Sequence, residues 1–421
     1  MLRRRDFVHT TLLGAAGVLI APFDSLASRL QAAGTSIPNL KITGIKIHSL
    51  RQKLEEPIGW CCRTGSAFTG ASVIEVETDA GLTGWGDGSW AGQVLRNQRD
   101  VVIGRSPFEV ETIFDDITNL ARPAFYTMSR NAASPGGLDV ALWDLVGKAL
   151  GKPICAILGK QYRKRVMPYA SAGYRKNWPD LEAGFAEELR HWTLDVGYHA
   201  AKVKTGYDPV TDVKILRAVR KAIGEEIHLG IDSGTSGAYD DGTAVVLGRQ
   251  LEELNLEFWE EPINKWDLEG YARLKNVLRI PLASGEALPI DWVIENYIQK
   301  NVVDIVQPDI SESGFTGGKR VSYAAWLNRV RLVPHTWGSP VRIASTMHWM
   351  ACFPPVSTAL NPPPDLFELH LPHESPAWGL TAKRIEVDKT DGRIEVPAGP
   401  GLGIEINRDE LDRYRTELIT I

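Results

Sequence analysis

Ala200-Ala-Lys-Val-Lys204, Ile227-His-Leu-Gly-Ile-Asp232 and Glu257-Phe-Trp-Glu-Glu261 are short runs, largely apolar, that each end in charge. Between them, residues 209–223 and 243–255 carry apolar side chains at helical spacing. Strands buried on both faces read as short apolar runs, and their alternation with amphipathic helices specifies a parallel sheet. The unit repeats on either side. Further strands are expected at 166–170, 281–286, 304–309, 331–335 and 366–370, with helices at 268–278, 292–300 and 317–330. Eight β/α units over about 205 residues meet the lower size limit of a (β/α)8 barrel. A doubly wound open sheet shows the same alternation, but no Gly-rich phosphate loop follows the first strand. The expected fold class is therefore α/β, a TIM-type barrel.

Upstream the rhythm is different. Residues 41–48 and 71–78 alternate as strands do, Asp79-Ala-Gly81 supplies a turn, and 82–86 pairs back. A loop at 57–69 holds Trp60, Arg63 and Phe68, and helical periodicity follows over 93–120 and 137–158. We expect an α+β capping domain at 38–160, the barrel at 161–383, and a Gly/Pro-rich C-terminal segment, 384–421, folding back on the cap. Residues 1–34 read as a leader. Arg3-Arg4-Arg5-Asp6-Phe7 precedes a modest apolar run at 11–20 and the small residues Ala32-Ala33-Gly34. That pattern is a twin-arginine-type signal for periplasmic or exported protein. A membrane anchor is the alternative, but the run falls short of the roughly 20 residues a span needs.

Composition narrows the function. Lys+Arg 47 against Asp+Glu 52 gives a net charge of -5 in 421 residues, which argues against nucleic acid or an acidic membrane as partner. Four cysteines, two of them the adjacent Cys61 and Cys62, make no disulfide framework and no metal spacing.

The strand ends carry the chemistry. In order they are Lys202 and Lys204, Asp232, Glu260-Glu261, Glu286, Asp309, His335 and Glu368. From Lys204 the gaps are 28, 28, 26, 23, 26 and 33 residues, one per β/α unit. Barrel enzymes set their catalytic groups on these ends, where the strands converge on one mouth. Buried ionisable groups in such number persist only by meeting each other, a metal or a ligand. Asp232, Glu260 and Glu286 form an all-oxygen site suited to one Mg2+ (Mn2+ as a substitute). Lys202 and Lys204, two apart, share a face, and each ammonium is expected to lower the other's pKa toward that of a usable base. His335 lies across the barrel, with Asp309 to orient it. Two bases flanking a metal suit abstraction of a proton α to a carboxylate. Taken singly, each feature has a plainer reading: a solvated acid pair, a surface Lys-x-Lys, a helix cap at Asp309, a quietly hydrogen-bonded histidine. Their order on successive strands favours the catalytic one.

The chain also resembles the enolase superfamily, and more closely its mandelate-racemase subgroup. The resemblance rests on Gly137-Leu-Asp-Val-Ala-Leu-Trp-Asp144, Gly147-Lys-Ala-Leu-Gly151-Lys-Pro153, Lys202-Val-Lys204, Trp259-Glu-Glu-Pro262 and Ser284-Gly-Glu286. It continues in Gln307-Pro-Asp309, Pro334-His-Thr-Trp-Gly-Ser339 and Pro400-Gly-Leu-Gly403. It implies an α+β cap over a modified barrel, Mg2+ bound by Asp232, Glu260 and Glu286, and Glu261 standing behind the ligands. It further implies Lys204 as one base tuned by Lys202, His335 with Asp309 as the other, and Glu368 hydrogen-bonding the developing enolate. An even-numbered homo-oligomer is implied as well. One departure stands out: the subgroup often has Asn two residues after the strand-three ligand, where this chain has Gly234.

Dehydration of an acid sugar is the reaction the resemblance favours, making the chain a hydro-lyase with a small carboxylate substrate. Racemisation, epimerisation or cycloisomerisation would use the same parts, and an exported binding protein is the non-catalytic alternative. Arg63 and Trp60 are the expected contacts to the distal end of the substrate.

Overall fold

The computed structural model describes residues 26–59, 65–125, 134–234, 237–357, 359–360, 362–371 and 379–421. Strands β1 (Ile42–Ile58), β2 (Ser66–Thr78) and β3 (Thr83–Asp87) form an antiparallel hairpin and return. β1 and β2 reach 17 and 13 residues, well past the expected 41–48 and 71–78. Their outer halves are mostly polar but still pair, Arg51 with Gly70 and Lys53 with Phe68, held by backbone groups, by Arg51 stacked on Phe68 and by the buried residues Leu54 and Ile58. The expected loop at 57–69 shrinks accordingly; its Trp60 and Arg63 lie outside the described residues. Gly59 exchanges two backbone hydrogen bonds with Arg175, each 2.8 Å, which rests this end of the hairpin on the barrel.

The helix expected at 93–120 divides into Gly92–Asn97 and Val110–Phe125, with a separate turn at Pro107–Glu109 capped by Ser106. That expected at 137–158 divides at Gly151 and Pro153 into Gly136–Leu150 and Ile154–Leu158. Gly151 takes the left-handed cap conformation that closes a helix, and proline cannot continue one.

Eight parallel strands make the barrel: β4 (Arg165–Ala172), β5 (Ala200–Lys204), β6 (His228–Asp232), β7 (Leu256–Glu260), β8 (Leu282–Ser284), β9 (Ile305–Val306), β10 (Arg331–Leu332) and β11 (Leu366–His370). Their spatial order is β10-β9-β8-β7-β6-β5-β4-β11. The β10/β11 seam carries no ladder among the described residues but is crossed by the Glu368 N–H, which donates to Pro334 O at 3.1 Å. The fold is thus a nearly closed TIM-type barrel with an α+β cap. Downstream, β12 (Ile394–Glu395) pairs with β4 and β13 (Arg415–Thr420) pairs with β1, so the tail touches both units.

β8, β9 and β10 are shorter than expected, and Glu286, Asp309 and His335 sit in the loops just beyond them. Gly285, at φ 129°, turns the chain out of the β8 ladder, and Asp309 already caps the helix Ile310–Asn328. Inside the barrel, Met167, Tyr169, Phe258, Ile305, Val333 and Leu366 form an apolar floor. Strand period two then raises Ser171, Lys202, Glu260, Gln307 and Glu368 to the next level. Gly230 makes room for that floor: a Cβ there would stand 2.4 Å from the Phe258 ring.

Of the expected leader, residues 1–25 lie outside the described residues. Leu26–Ala32 is a helix with Leu26 buried, whose N–H donates to Glu111 at 3.0 Å, while Arg29 pairs with the same carboxylate at 2.9 Å. Among the described residues no helix is long and apolar enough to cross a membrane.

Candidate active site

Strand register brings three of the charged positions together. Lys204, Asp232 and Glu260 lie directly opposite one another on β5, β6 and β7, so their side chains share the barrel's inner face. Lys202 is fully buried at the centre. Its Nζ lies 2.8 Å from Asp232 Oδ2, 3.2 Å from Glu260 Oε2 and 3.0 Å from Glu368 Oε1. Lys204 pairs with the same Asp232 oxygen.

The mutual lowering expected of the two lysines does not prevail. Burial, the largest influence, does lower the Lys204 pKa and Lys202 adds to it, but Asp232, with Glu260 and Glu368, raises it above the ordinary lysine value. The intervening carboxylate outweighs the neighbouring ammonium. Lys202 is raised further still: burial lowers it, but three carboxylates outweigh that.

The acids divide by their surroundings. Burial would raise Asp232, yet two ammonium groups hold it well below the usual range. Glu260 is pushed up to about 8, by burial first and then by the charge of Asp232, with Glu286 contributing. Gln307 donates to Glu260 Oε2 at 2.9 Å and fixes that carboxyl from the third side. Glu261, at φ 45°, turns away toward Lys265 at 3.2 Å and Ser284 at 3.4 Å. At the position where the subgroup often has Asn, the Gly234 N–H donates to Asp232 Oδ1 at 2.6 Å.

On the far side, His335 Nε2 lies 3.1 Å from Glu286 and 3.5 Å from Glu368, while Nδ1 lies 2.7 Å from Asp309 Oδ2. Burial, the largest influence, lowers its pKa, but Glu286, Glu368 and Asp309 together push the imidazole up to about 10. Burial raises Asp309, but Arg342 and His335 bring it down to about 2. Glu368 spans the mouth, one oxygen on Lys202 and Ser171 (2.6 Å), the other near His335 and accepting the Thr336 N–H at 3.0 Å.

Among the described residues no three of these side chains are arranged to hold a metal ion as they stand. Their charges nonetheless leave room for one. Seven buried acids, Asp87, Asp232, Glu260, Glu261, Glu286, Asp309 and Glu368, face five bases, Lys202, Lys204, Lys265, His335 and Arg342. Crowding of like charge on Glu260 is what a hard divalent ion relieves.

The sequence alone assigns no role to several members of this network. Gln307, Ser171 and Lys265 were open to strand alternation or i,i+4 spacing. Asp87 and Arg342 were not, because their contact joins cap to barrel across 255 residues.

A capped parallel barrel whose mouth holds opposed lysines and a histidine among carboxylates defines a class of enzyme scaffold. The chain belongs to the mandelate racemase/muconate lactonizing enzyme family of the enolase superfamily. Residues 42–159 match the N-terminal domain of that family and 184–410 the enolase C-terminal domain-like model. A D-galactarolactone cycloisomerase of Agrobacterium fabrum is 31% identical over 391 residues, covering 89% of this chain and 99% of the relative. An arabinonate dehydratase of Saccharolobus solfataricus is 30% identical over 355 residues, covering 82% and 90%. Among solved structures, the 3,6-anhydro-D-galactonate cycloisomerase of Zobellia galactanivorans superposes with a TM-score of 0.75 at 29% identity, over 90% of this chain and 100% of that one.

Proposed function

We propose that the chain removes the proton α to the carboxylate of an acid sugar and expels the oxygen on the β carbon. The carrying observation is one mouth with Lys204 paired to Asp232 on one side, His335 on the other, and Glu368 bridging His335 to Lys202. Asp232, Glu260 and Glu286 would hold a divalent cation, Mg2+ by its preference for oxygen ligands, which would acidify the α-proton and hold the charge developing on the carboxylate. Lys204 takes the proton as the α C–H bond breaks. Proton transfer needs the neutral amine, the form that burial and Lys202 favour and that Asp232, Glu260 and Glu368 oppose. His335, protonated, gives its Nε2 proton to the departing oxygen as the β C–O bond breaks. Glu368, ionised and held by Lys202 and Ser171, faces His335; Asp309 keeps the imidazole aimed.

A hydroxyl leaving group departs as water, leaving an enol that becomes a 2-keto-3-deoxy acid. This is dehydration, the first reading. A ring oxygen leaving by the same step stays in the product, so the net reaction is isomerisation; the two cycloisomerase relatives favour keeping that second reading. Incubation with Mg2+ and a panel of aldonates, aldarates, lactones and anhydro acids, scored with semicarbazide for 2-keto acid, tests both. Water loss or its absence in the product mass separates them. No keto acid from any member would count against elimination.

Export by the arginine-rich leader remains a proposal of the sequence, tested by fractionating cells that express the full chain. Activity confined to the cytoplasm would refute it.

A further inference from the structure

Asp87 ends β3 in the capping domain, yet its carboxylate is fully buried against the barrel. Oδ2 accepts the Ser339 N–H at 2.7 Å, and Oδ1 accepts from Arg342 Nε at 3.2 Å and Nη2 at 2.8 Å. The remaining Arg342 nitrogen, Nη1, donates to Asp309 Oδ2 at 3.2 Å, the oxygen that also takes His335 Nδ1 at 2.7 Å. Gly338 permits the approach, since a Cβ there would stand 2.5 Å from Arg342 Nε and 3.0 Å from Asp87 Oδ2. A guanidinium is planar and always charged, so a fork spent on Asp87 through Nε and Nη2 turns Nη1 toward Asp309. Freed from Asp87, the same fork would compete with His335 for that oxygen.

We propose that Asp87 is a positioning residue: through Arg342 and Asp309 it fixes the aim of His335, so that seating the cap and orienting the imidazole are one event. The inference rests on the reading of His335 as the proton donor, but its geometry is tested without substrate. The full chain, labelled with 15N-histidine, should show a low-field Nδ1–H resonance for His335, assigned by its loss in His335→Asn. Asp309→Asn gives the reference for a broken bond. Asp87→Asn, with its thermal midpoint recorded, should move this resonance upfield or broaden it away, and Asp87→Glu should restore it. If Asp87→Asn fails to fold, Arg342→Lys, which keeps the charge and loses the fork, takes its place with the same expectation. A folded Asp87→Asn or Arg342→Lys with the wild-type resonance overturns the proposal. Loss of turnover in His335→Asn but not in a folded Asp87→Asn sinks this inference alone, whereas full turnover in His335→Asn sinks the functional reading instead.

Discussion

Asp309 Oδ2 lies 2.7 Å from His335 Nδ1, while Oδ1 of the same carboxylate accepts the Ser311 N–H at 2.7 Å and opens the next helix. One side chain is both helix cap and imidazole partner. Asn caps a helix as well as Asp does but brings no charge. Asp309→Asn should therefore keep the helix cap but lose the charge pairing with His335 and Arg342, so the thermal midpoint falls at pH 7 and turnover falls by about 10²–10⁴-fold, the usual range for a lost acid–base function. Calorimetry beside an activity assay checks both.

His335→Asn should stop elimination, because the leaving oxygen no longer receives a proton. Lys204 stays intact, so exchange of the substrate α-proton with D2O should persist for one stereoisomer. 1H NMR reads both. Full turnover in both His335→Asn and Lys204→Ala would contradict the two-base arrangement.

Lys202 is the shared counter-ion of Asp232, Glu260 and Glu368. Lys202→Met strands three buried acids without it, and removing one partner of a buried ion pair costs about 3–5 kcal/mol. Denaturant unfolding should show that loss. Neutralising all three acids at once should recover part of it, because the penalty belongs to uncompensated charge.

Glu286→Gln removes one charged oxygen donor and should weaken Mg2+ uptake at least tenfold by titration calorimetry, with parallel loss of activity. Unchanged uptake would remove Glu286 from the ligand set.

Glu75 ties cap to tail, with its carboxylate 3.1 Å from His48 and 2.7 Å from Arg408. Burial raises its pKa, but these partners bring it down to about 2 from 4.5. Its folded value lies below its unfolded one, so the stabilisation is complete above about pH 4.5 and fades as pH falls toward 2. Glu75→Gln should melt lower than wild type at pH 7, and the difference should shrink through that window.

The barrel and its charged strand ends were legible because period-two strands and one unit per 23–33 residues survive in a linear sequence. Lengths were less so: β1 continues through Arg51 and Lys53 on backbone pairing, a stack on Phe68 and two widely spaced buried residues, Leu54 and Ile58, too sparse an apolar pattern to mark a strand. The Lys202–Lys204 spacing revealed proximity but not that Asp232 lies between their charges. Asp87 and Arg342 were invisible for a different reason. Their meeting depends on how two separately readable units dock.

The most direct measurement follows the α-proton. Wild-type protein with Mg2+ and the acid-sugar panel in D2O is watched by 1H NMR. At least one acid should lose its α-proton signal, EDTA should halt the loss, and the Lys204→Ala/His335→Asn double variant should leave every signal intact. Conversion of any acid with its α-proton retained, or undiminished exchange in the double variant, would contradict the account.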